Sequence, residues 1–298
     1  MAVSTGARLA PTRRKELEAL AHQVRRDIIR SIACAGAGHP GGALGAAEFF
    51  AALYSEILNF GPEDLDRKDR DRFILSNGHI CAGFYAVLAR CGFLEVDELA
   101  RLRKMGSHLQ GHPARAHLPG LVEASSGPLG QGVSVANGLA LAARLDRYAA
   151  RVYCLVGDGE LQEGQVWEAL MTAAHYRLNN ITLFVAYNGL QIDGSLDDVK
   201  RLEPMVAKFE AFGWNVLDID GHDVEAIVGA AAAAGEHEAG PSVVVLRTVM
   251  GRGVPFMENN HVWHGGPLST EQAKEALQAL GPADGYQDFK ITGSSNEL

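Results

Sequence analysis

Residues Gly157–Asn188 read GDGELQEGQVWEALMTAAHYRLNNITLFVAYN, and this stretch decides the fold. It begins where an apolar, β-branched run, Val152 to Val156, ends in a Gly-Asp-Gly turn, and it closes with Asn188 at the end of a second such run, Ile181 to Tyr187. Gln165 to Leu178 between them reads as a helix, so the unit is strand, helix, strand. Adjacent strands of an open parallel sheet end on one edge, where ligands bind. Asp158 and Asn188 are thereby placed to converge, as carboxylate and amide oxygen, on one hard cation, Mg²⁺ or Ca²⁺. An ion held by few protein oxygens completes its octahedron with phosphate oxygens, and Gly157 and Gly159 let phosphates approach the backbone. The expected ligand is a diphosphate.

Two commoner phosphate motifs do not fit. A dinucleotide fingerprint needs G-x-G-x-x-G, but the glycine after Gly159 is Gly164, two places too late. A P-loop needs Gly-Lys-Ser/Thr, whereas Gly164 is followed by Gln165 and Val166. Taken alone, GDG is equally well explained as a tight turn after a strand. The surrounding sequence decides between the two.

Working outward, the chain is helical first and sheet-forming later. Leu17, Leu20, Val24 and Ile28 mark one face of a helix from about Arg13 to Ala35, and Ala46 to Leu58 reads as another. Phe73 to Leu75 is a short strand delivering Asn-Gly-His to a turn. The alanine- and glycine-rich Gln131 to Leu145 suits a buried helix packed closely on the sheet. After Ile181 to Tyr187 the pattern continues with helix Leu202 to Phe212, strand Asn215 to Ile219, helix Val224 to Ala234 and strand Ser242 to Val249. Such alternation predicts an α/β fold, a doubly wound, mostly parallel sheet with helices on both faces. One domain is expected over residues 1–283, followed by a flexible tail, 284–298, that includes Gly293, Ser294 and Ser295.

The 298 residues are 47% hydrophobic and 21% charged, enough for a large core. A net charge of −9 gives no general electrostatic reason to bind nucleic acid or an anionic membrane, so any phosphate site is local. Cys34, Cys81, Cys91 and Cys154 show no CxxC spacing, which argues against zinc and disulfides and for a reducing, cytoplasmic setting. The N-terminal stretch with Arg8, Arg13, Arg14 and Lys15 has no apolar core segment, and Glu16 and Glu18 argue against a transit peptide. No apolar run is long enough to span a bilayer.

The extended stretch resembles the thiamine diphosphate motif, GDG followed one strand later by Asn, and within it the transketolase family. The residues that carry the resemblance are GDGELQEG and VWEA, then Asn188, Gly189, Leu190 and the IDG at Ile192–Gly194. In the same order stand GHPGGALG at Gly38–Gly45, LSNGH at Leu75–His79, GHP at Gly111–Pro113 with SGPLGQG at Ser126–Gly132, and WHGGPL at Trp263–Leu268. The resemblance spans nearly the whole chain. Other thiamine diphosphate enzymes, such as a deoxyxylulose-phosphate synthase or an oxo-acid dehydrogenase subunit, would keep GDG and Asn but fit the remaining motifs less well. A homologue that binds the cofactor without turnover is the non-catalytic alternative.

The resemblance implies roles. Asp158, Asn188 and the Leu190 carbonyl would bind Mg²⁺ or Ca²⁺; His79 and His264 would contact the diphosphate; His39 and His112 would face the substrate near the thiazolium. Gly127 would approach the aminopyrimidine and Leu129 would pack on it. Glu163 and Glu168 would lie at a subunit interface linking paired sites through protons. Imidazole suits both assigned jobs, because with an ordinary pKa near 6.5 it donates to phosphate or exchanges a proton at neutral pH. A lone loop histidine is more often structural, and His22, His175 and His237 are read that way; His108, His117 and His261 are left unassigned. Tyr187 departs from the family, where an acidic or amide residue precedes the metal-binding Asn. Thiamine chemistry also needs a carboxylate against the pyrimidine ring. In full-length transketolases that glutamate, and the arginines and serine that grip the sugar phosphate, belong to a pyrimidine-binding domain beyond the stretch seen here. The resemblance therefore implies a split enzyme, in which this chain and a C-terminal, pyrimidine-domain subunit form an α₂β₂ assembly acting on sugar phosphates.

Overall fold

The computed structural model describes residues 9–291. Helices α1 (Pro11–Ala35), α2 (Pro40–Gly45) and α3 (Ala47–Ala52) come first, α3 continuing into a π-helical turn, Leu53–Ile57. Strand β1 (Arg72–Leu75), helix α4 (Cys81–Arg90) and helix α5 (Gln131–Leu145) follow. The regular part is β2 (Val152–Gly157), α6 (Gly164–His175) and β3 (Ile181–Tyr187), then a small hairpin of β4 (Leu190–Gln191) and β5 (Gly194–Ser195). It ends with α7 (Leu196–Val199), α8 (Met205–Ala211), β6 (Asn215–Asp220), α9 (Val224–Glu236), β7 (Ser242–Arg247) and α10 (Thr270–Leu280).

Five strands form one sheet in the order β1-β2-β3-β7-β6, every pair parallel. Strand alternation divides their side chains between two cores. Tyr153, Leu155, Phe184, Val244 and Leu246 face a layer built largely from α1, α3, α4 and α9. Cys154, Val156, Leu183, Val185 and Val245 face α5, α6 and α8. Burial on both faces is why these strands read as continuous apolar runs, and the doubly wound sheet expected from the sequence is what forms.

Several boundaries differ for local reasons. The helix expected from Leu202 starts only at Met205, because the residue before Pro204 is pushed out of the helical region. The helix expected over Ala46–Leu58 is split into α3 and the π-helical turn. Helix α5 has the expected bounds but is not buried all round. Val133, Ala136 and Ala140 pack inward, whereas Val135 and Leu145 are 38% and 82% exposed. Beyond Ala283 the chain stays packed as far as Ile291: Phe289 is buried and Asp288 pairs with Arg26 at 2.6 Å. Arg8 and the Gly293–Ser295 stretch lie outside the described residues.

Candidate functional site

The loops leaving the C-terminal ends of β1, β2 and β3 surround a cavity of about 340 Å³. Every residue assigned above except Glu168, from His39 to His264, lines it. The parallel register explains the convergence. Gly157, the last residue of β2, pairs with Ala186 of β3, so Asp158 emerges beside Asn188. One Asp158 oxygen accepts the Asn188 and Gly189 N–H groups, both at 2.7 Å, and the other accepts Gly159 N–H at 2.8 Å. Gly189 has a φ of 77°, a left-handed conformation suited to glycine, and this turns Leu190 back toward the site. The Asn188 side-chain oxygen accepts the Leu190 N–H at 3.0 Å. Asp158 is 3% exposed, and burial pushes its carboxyl up to about 6 against the pull of the three N–H donors. A carboxylate, an amide oxygen and a peptide carbonyl make an all-oxygen set, the kind that Mg²⁺ or Ca²⁺ takes.

Four histidines line the same cavity, each from a different segment. His39 precedes α2, His79 lies in the 3₁₀ turn after β1, His112 is in the loop before α5, and His264 ends a 3₁₀ turn before α10. The His79 and His264 rings stack with centroids 5.0 Å apart; His39 stands edge-on to both, at 5.2 and 5.7 Å, and lies 6.2 Å from His112. Burial lowers the pKa of all four, with neighbouring imidazoles or Arg103 adding to the effect at His39, His79 and His112. His39 falls to about 4 and His79 to about 3. At neutral pH the cluster is uncharged, each ring offering one N–H and one lone pair.

Gly127, at φ 144°, lays its backbone against the His112 ring, where an added Cβ would lie 3.5 Å from the ring. Leu129 is 39% exposed at the rim, and Glu163 and Glu168 lie exposed at the start of α6. Buried polar atoms without a hydrogen-bond partner include His39 Nδ1, Asn77 Oδ1 and Ser126 Oγ. Such atoms cost free energy unless a ligand or water completes them, and His39 and Asn77 line the cavity while Ser126 precedes Gly127, which does, an arrangement that fits a polar, multiply hydrogen-bonding cofactor. Asn77 escaped the sequence reading although its signal was present: an amide at the end of a strand, the same pattern that identified Asn188. Glu160 was also missed. Of the unassigned histidines, His261 approaches the Ile192 carbonyl at 3.2 Å across the cavity mouth, while His108 and His117 are exposed. His222, not weighed from sequence, lies outside the cavity; it bonds Glu48 at 3.1 Å and accepts the Val249 N–H at 2.9 Å. Because that N–H occupies Nε2, Nδ1 is the donor to Glu48.

Residues 17–296 match the sequence family described as "Transketolase, thiamine diphosphate binding domain". The chain is 37% identical over 265 residues to the 6-deoxy-6-sulfo-D-fructose transketolase subunit SqwG of Clostridium sp. (strain MSTE9), covering 89% of this chain and 96% of that one. It is 38% identical to an apulose-4-phosphate transketolase subunit of Actinobacillus succinogenes, covering 89% and 96%. Against human transketolase it is 36% identical, covering 89% of this chain but 42% of that protein. The chain thus spans nearly all of the separately encoded subunits and less than half of a single-chain transketolase. Among solved structures, Leishmania mexicana transketolase superposes with a TM-score of 0.84 at 33% identity, covering 94% of this chain and 43% of that chain.

Proposed function

Because this chain belongs to the transketolase family and carries its thiamine diphosphate binding domain, we propose that it is one subunit of a two-subunit, Mg²⁺-dependent transketolase. The reaction is transfer of a two-carbon ketol unit from a ketose phosphate to an aldose phosphate. The observation that carries this reading is the convergence of four loop histidines on one cavity with Asp158 and Asn188. Asp158, Asn188 and the Leu190 carbonyl hold the metal, and Ca²⁺ fits the same oxygens. His79 and His264 donate to diphosphate oxygens. Gly157 and Gly159 leave the backbone open to them, while Gly127 and Leu129 receive the pyrimidine. When bound, thiamine diphosphate supplies the thiazolium that stabilises carbanion character at the transferred unit. His39 and His112, neutral at pH 7, orient the substrate hydroxyls and hold or move their protons.

The glutamate that activates the pyrimidine, and the groups that grip the sugar phosphate, come from a second chain. Two observations support a partner. The relatives matched over nearly their full length are named as subunits. Val135 and Leu145 of α5, Met171 of α6 and Tyr176 just after it are exposed, as are Glu163 and Glu168 at the start of α6, apolar surface of the kind that subunits cover. An α₂β₂ assembly lets each site draw on both chain types and places Glu163 at the contact. Four free thiols suit the cytoplasm, and among the described residues no helix is long and apolar enough to cross a membrane.

The test is an assay of the purified chain, alone and with a pyrimidine-domain subunit, using a ketose phosphate donor and an aldose phosphate acceptor. A positioned acid-base group contributes about 10²–10⁴-fold, so without the partner's glutamate turnover is expected near background and is restored in the mixture. Robust turnover by the chain alone overturns the split-enzyme reading.

A further inference from the structure

Helix α5 starts without a cap of its own. Its N-cap, Gly130, has no side chain, and the first-turn N–H groups of any helix need acceptors. Those acceptors come from elsewhere in the chain. Ser76 Oγ, at the end of β1, accepts the Gly132 N–H at 3.1 Å, as an N-cap serine would, and donates its own proton to Glu160 Oε1 at 2.5 Å. The same Glu160 oxygen accepts the Gly130 N–H at 2.8 Å, and the other accepts the Gly157 N–H at 3.1 Å. Glu160 is 2% exposed, and its negative charge lies at the positive end of the helix.

The three anchored segments are among those that build the cavity. Ser76 immediately precedes Asn77 and leads to His79, Gly130 follows Leu129, and Gly157 precedes Asp158. The contact is close-packed as well as hydrogen-bonded. A Cβ on Gly132 would come within 2.4 Å of the Ser76 side chain, and one on Gly130 within 2.9 Å of the Glu163 Cβ. Side chains at either glycine would force the loops apart.

We propose that Glu160, acting with Ser76, is a positioning residue that fixes the spacing of the β1, β2 and α5 loops and so preforms the diphosphate cavity. Its carboxylate oxygens are taken up by the Ser76 hydroxyl and the Gly130 and Gly157 N–H groups. This inference rests on the thiamine diphosphate reading for its consequence in binding, but not for the loop linkage itself.

The experiment uses the full chain with Glu160→Gln, which keeps shape and places an NH₂ against at least one of the three donors, and Ser76→Ala, which removes one link. Hydrogen exchange is measured first without cofactor. Peptides covering residues 126–134 are expected to exchange about 10- to 100-fold faster in Glu160→Gln, with a smaller rise in Ser76→Ala, while β3 and β2 up to Val156 keep wild-type protection. Thiamine diphosphate with Mg²⁺ is then titrated calorimetrically with the pyrimidine-domain subunit present. Kd is expected to rise by about the same factor, and in the two-subunit enzyme kcat at saturating cofactor stays near wild type. Unchanged exchange in a folded Glu160→Gln protein overturns the proposal, as does a lost kcat that saturating cofactor does not restore. If Glu160→Gln fails to fold, Ser76→Ala decides: faster loop exchange supports the linkage and wild-type exchange overturns it. If the wild-type chain with its pyrimidine-domain partner binds no thiamine diphosphate while loop exchange responds as stated, the cofactor reading fails and the linkage stands.

Discussion

The two ends of the central sheet put their buried polar side chains to different uses. At the N-terminal end, where β1 and β2 begin, side chains mostly satisfy the backbone and one another. Asp71, 3% exposed, accepts the Arg151 N–H at 2.9 Å and the Asn59 N–H at 3.1 Å, and Asn59 Oδ1 accepts the Asp71 N–H in return at 2.8 Å. Arg70, 2% exposed, donates to the Leu65, Asp71 and Gly120 carbonyls and lies 2.6 Å from Glu123. At the C-terminal end Asn77 Oδ1 and His39 Nδ1 are buried without a partner, and four imidazoles crowd together uncharged. An unmade buried hydrogen bond costs about 1–3 kcal/mol. Arg151 Nε, Asn180 Oδ1 and Thr182 Oγ1 at the first end are also buried without a partner, but among the described residues only at the second end do such atoms lie at a cavity, where a ligand or water relieves the cost.

The sharpest way to break that contrast is to remove one buried aspartate from each end. Asp158→Ala is expected to lose Mg²⁺-dependent thiamine diphosphate binding by more than about 100-fold, since Asp158 is the only charged ligand in the proposed oxygen set. Water in the cavity replaces its carboxylate as acceptor, so unfolding changes little. Asp71→Ala should do the reverse, costing about 2–3 kcal/mol of stability while the folded protein binds cofactor normally. Calorimetric titration and denaturant unfolding of both variants, the titrations with the partner present, make the comparison. Wild-type cofactor affinity in Asp158→Ala would sink the metal assignment.

The histidines sharpen it next. His79→Ala and His264→Ala are expected to raise the cofactor Kd about tenfold or more, with turnover partly recovered at saturating cofactor. His39→Ala and His112→Ala should bind normally and lose kcat or substrate KM instead, and the opposite division would show the roles reversed. Acid adds a second readout. A histidine whose folded pKa is depressed binds its proton more weakly in the native state than in the unfolded state. The unfolded state therefore gains protons first as pH falls below 6.5, and stability declines with it. For His79, at about 3 when folded, the loss between pH 7 and pH 5 is on the order of 1–2 kcal/mol. His79→Gln should flatten the pH dependence of the unfolding midpoint in that range, and an unchanged slope would mean that burial of this imidazole is relieved in solution.

How much of this was legible depends on where the controlling contact lies. Strands β2, β3 and β7 could be read because two-sided burial leaves them unbroken apolar runs, and α5 because its composition is dominated by small and apolar residues. Helix α4 could not: Cys81 to Ala89 are all buried, so no polar face marks its period. Helix α10 carried a readable start, the Ser269 and Gln272 capping box. Every assigned lining residue of the cavity was in a motif, whereas the Ser76, Gly130 and Gly157 contacts of Glu160 join distant segments, as does the pairing of His222 with Glu48. Such links depend on topology, and no local spacing announces them.

The smallest expected effect concerns Tyr187, where the family pattern has an acidic or amide residue. Its hydroxyl donates to Glu203 at 2.9 Å, and the Arg247 guanidinium lies 4.3 Å from the ring centroid. Burial and the neighbouring Glu203 raise its pKa to about 12, so it stays neutral and adds no charge near the metal ligands. The side chain is thus tied to the β7 side of the sheet, and its polar atom is already engaged away from Asn188. Tyr187→Asn should therefore cost about 1 kcal/mol through the lost hydrogen bond and cation–π contact. Mg²⁺ affinity in the presence of thiamine diphosphate should move by less than about threefold, because the ligand oxygens are held by backbone N–H groups rather than by residue 187. A larger fall in Mg²⁺ affinity, with stability unchanged, would mean that the ring supports the ion from behind Asn188.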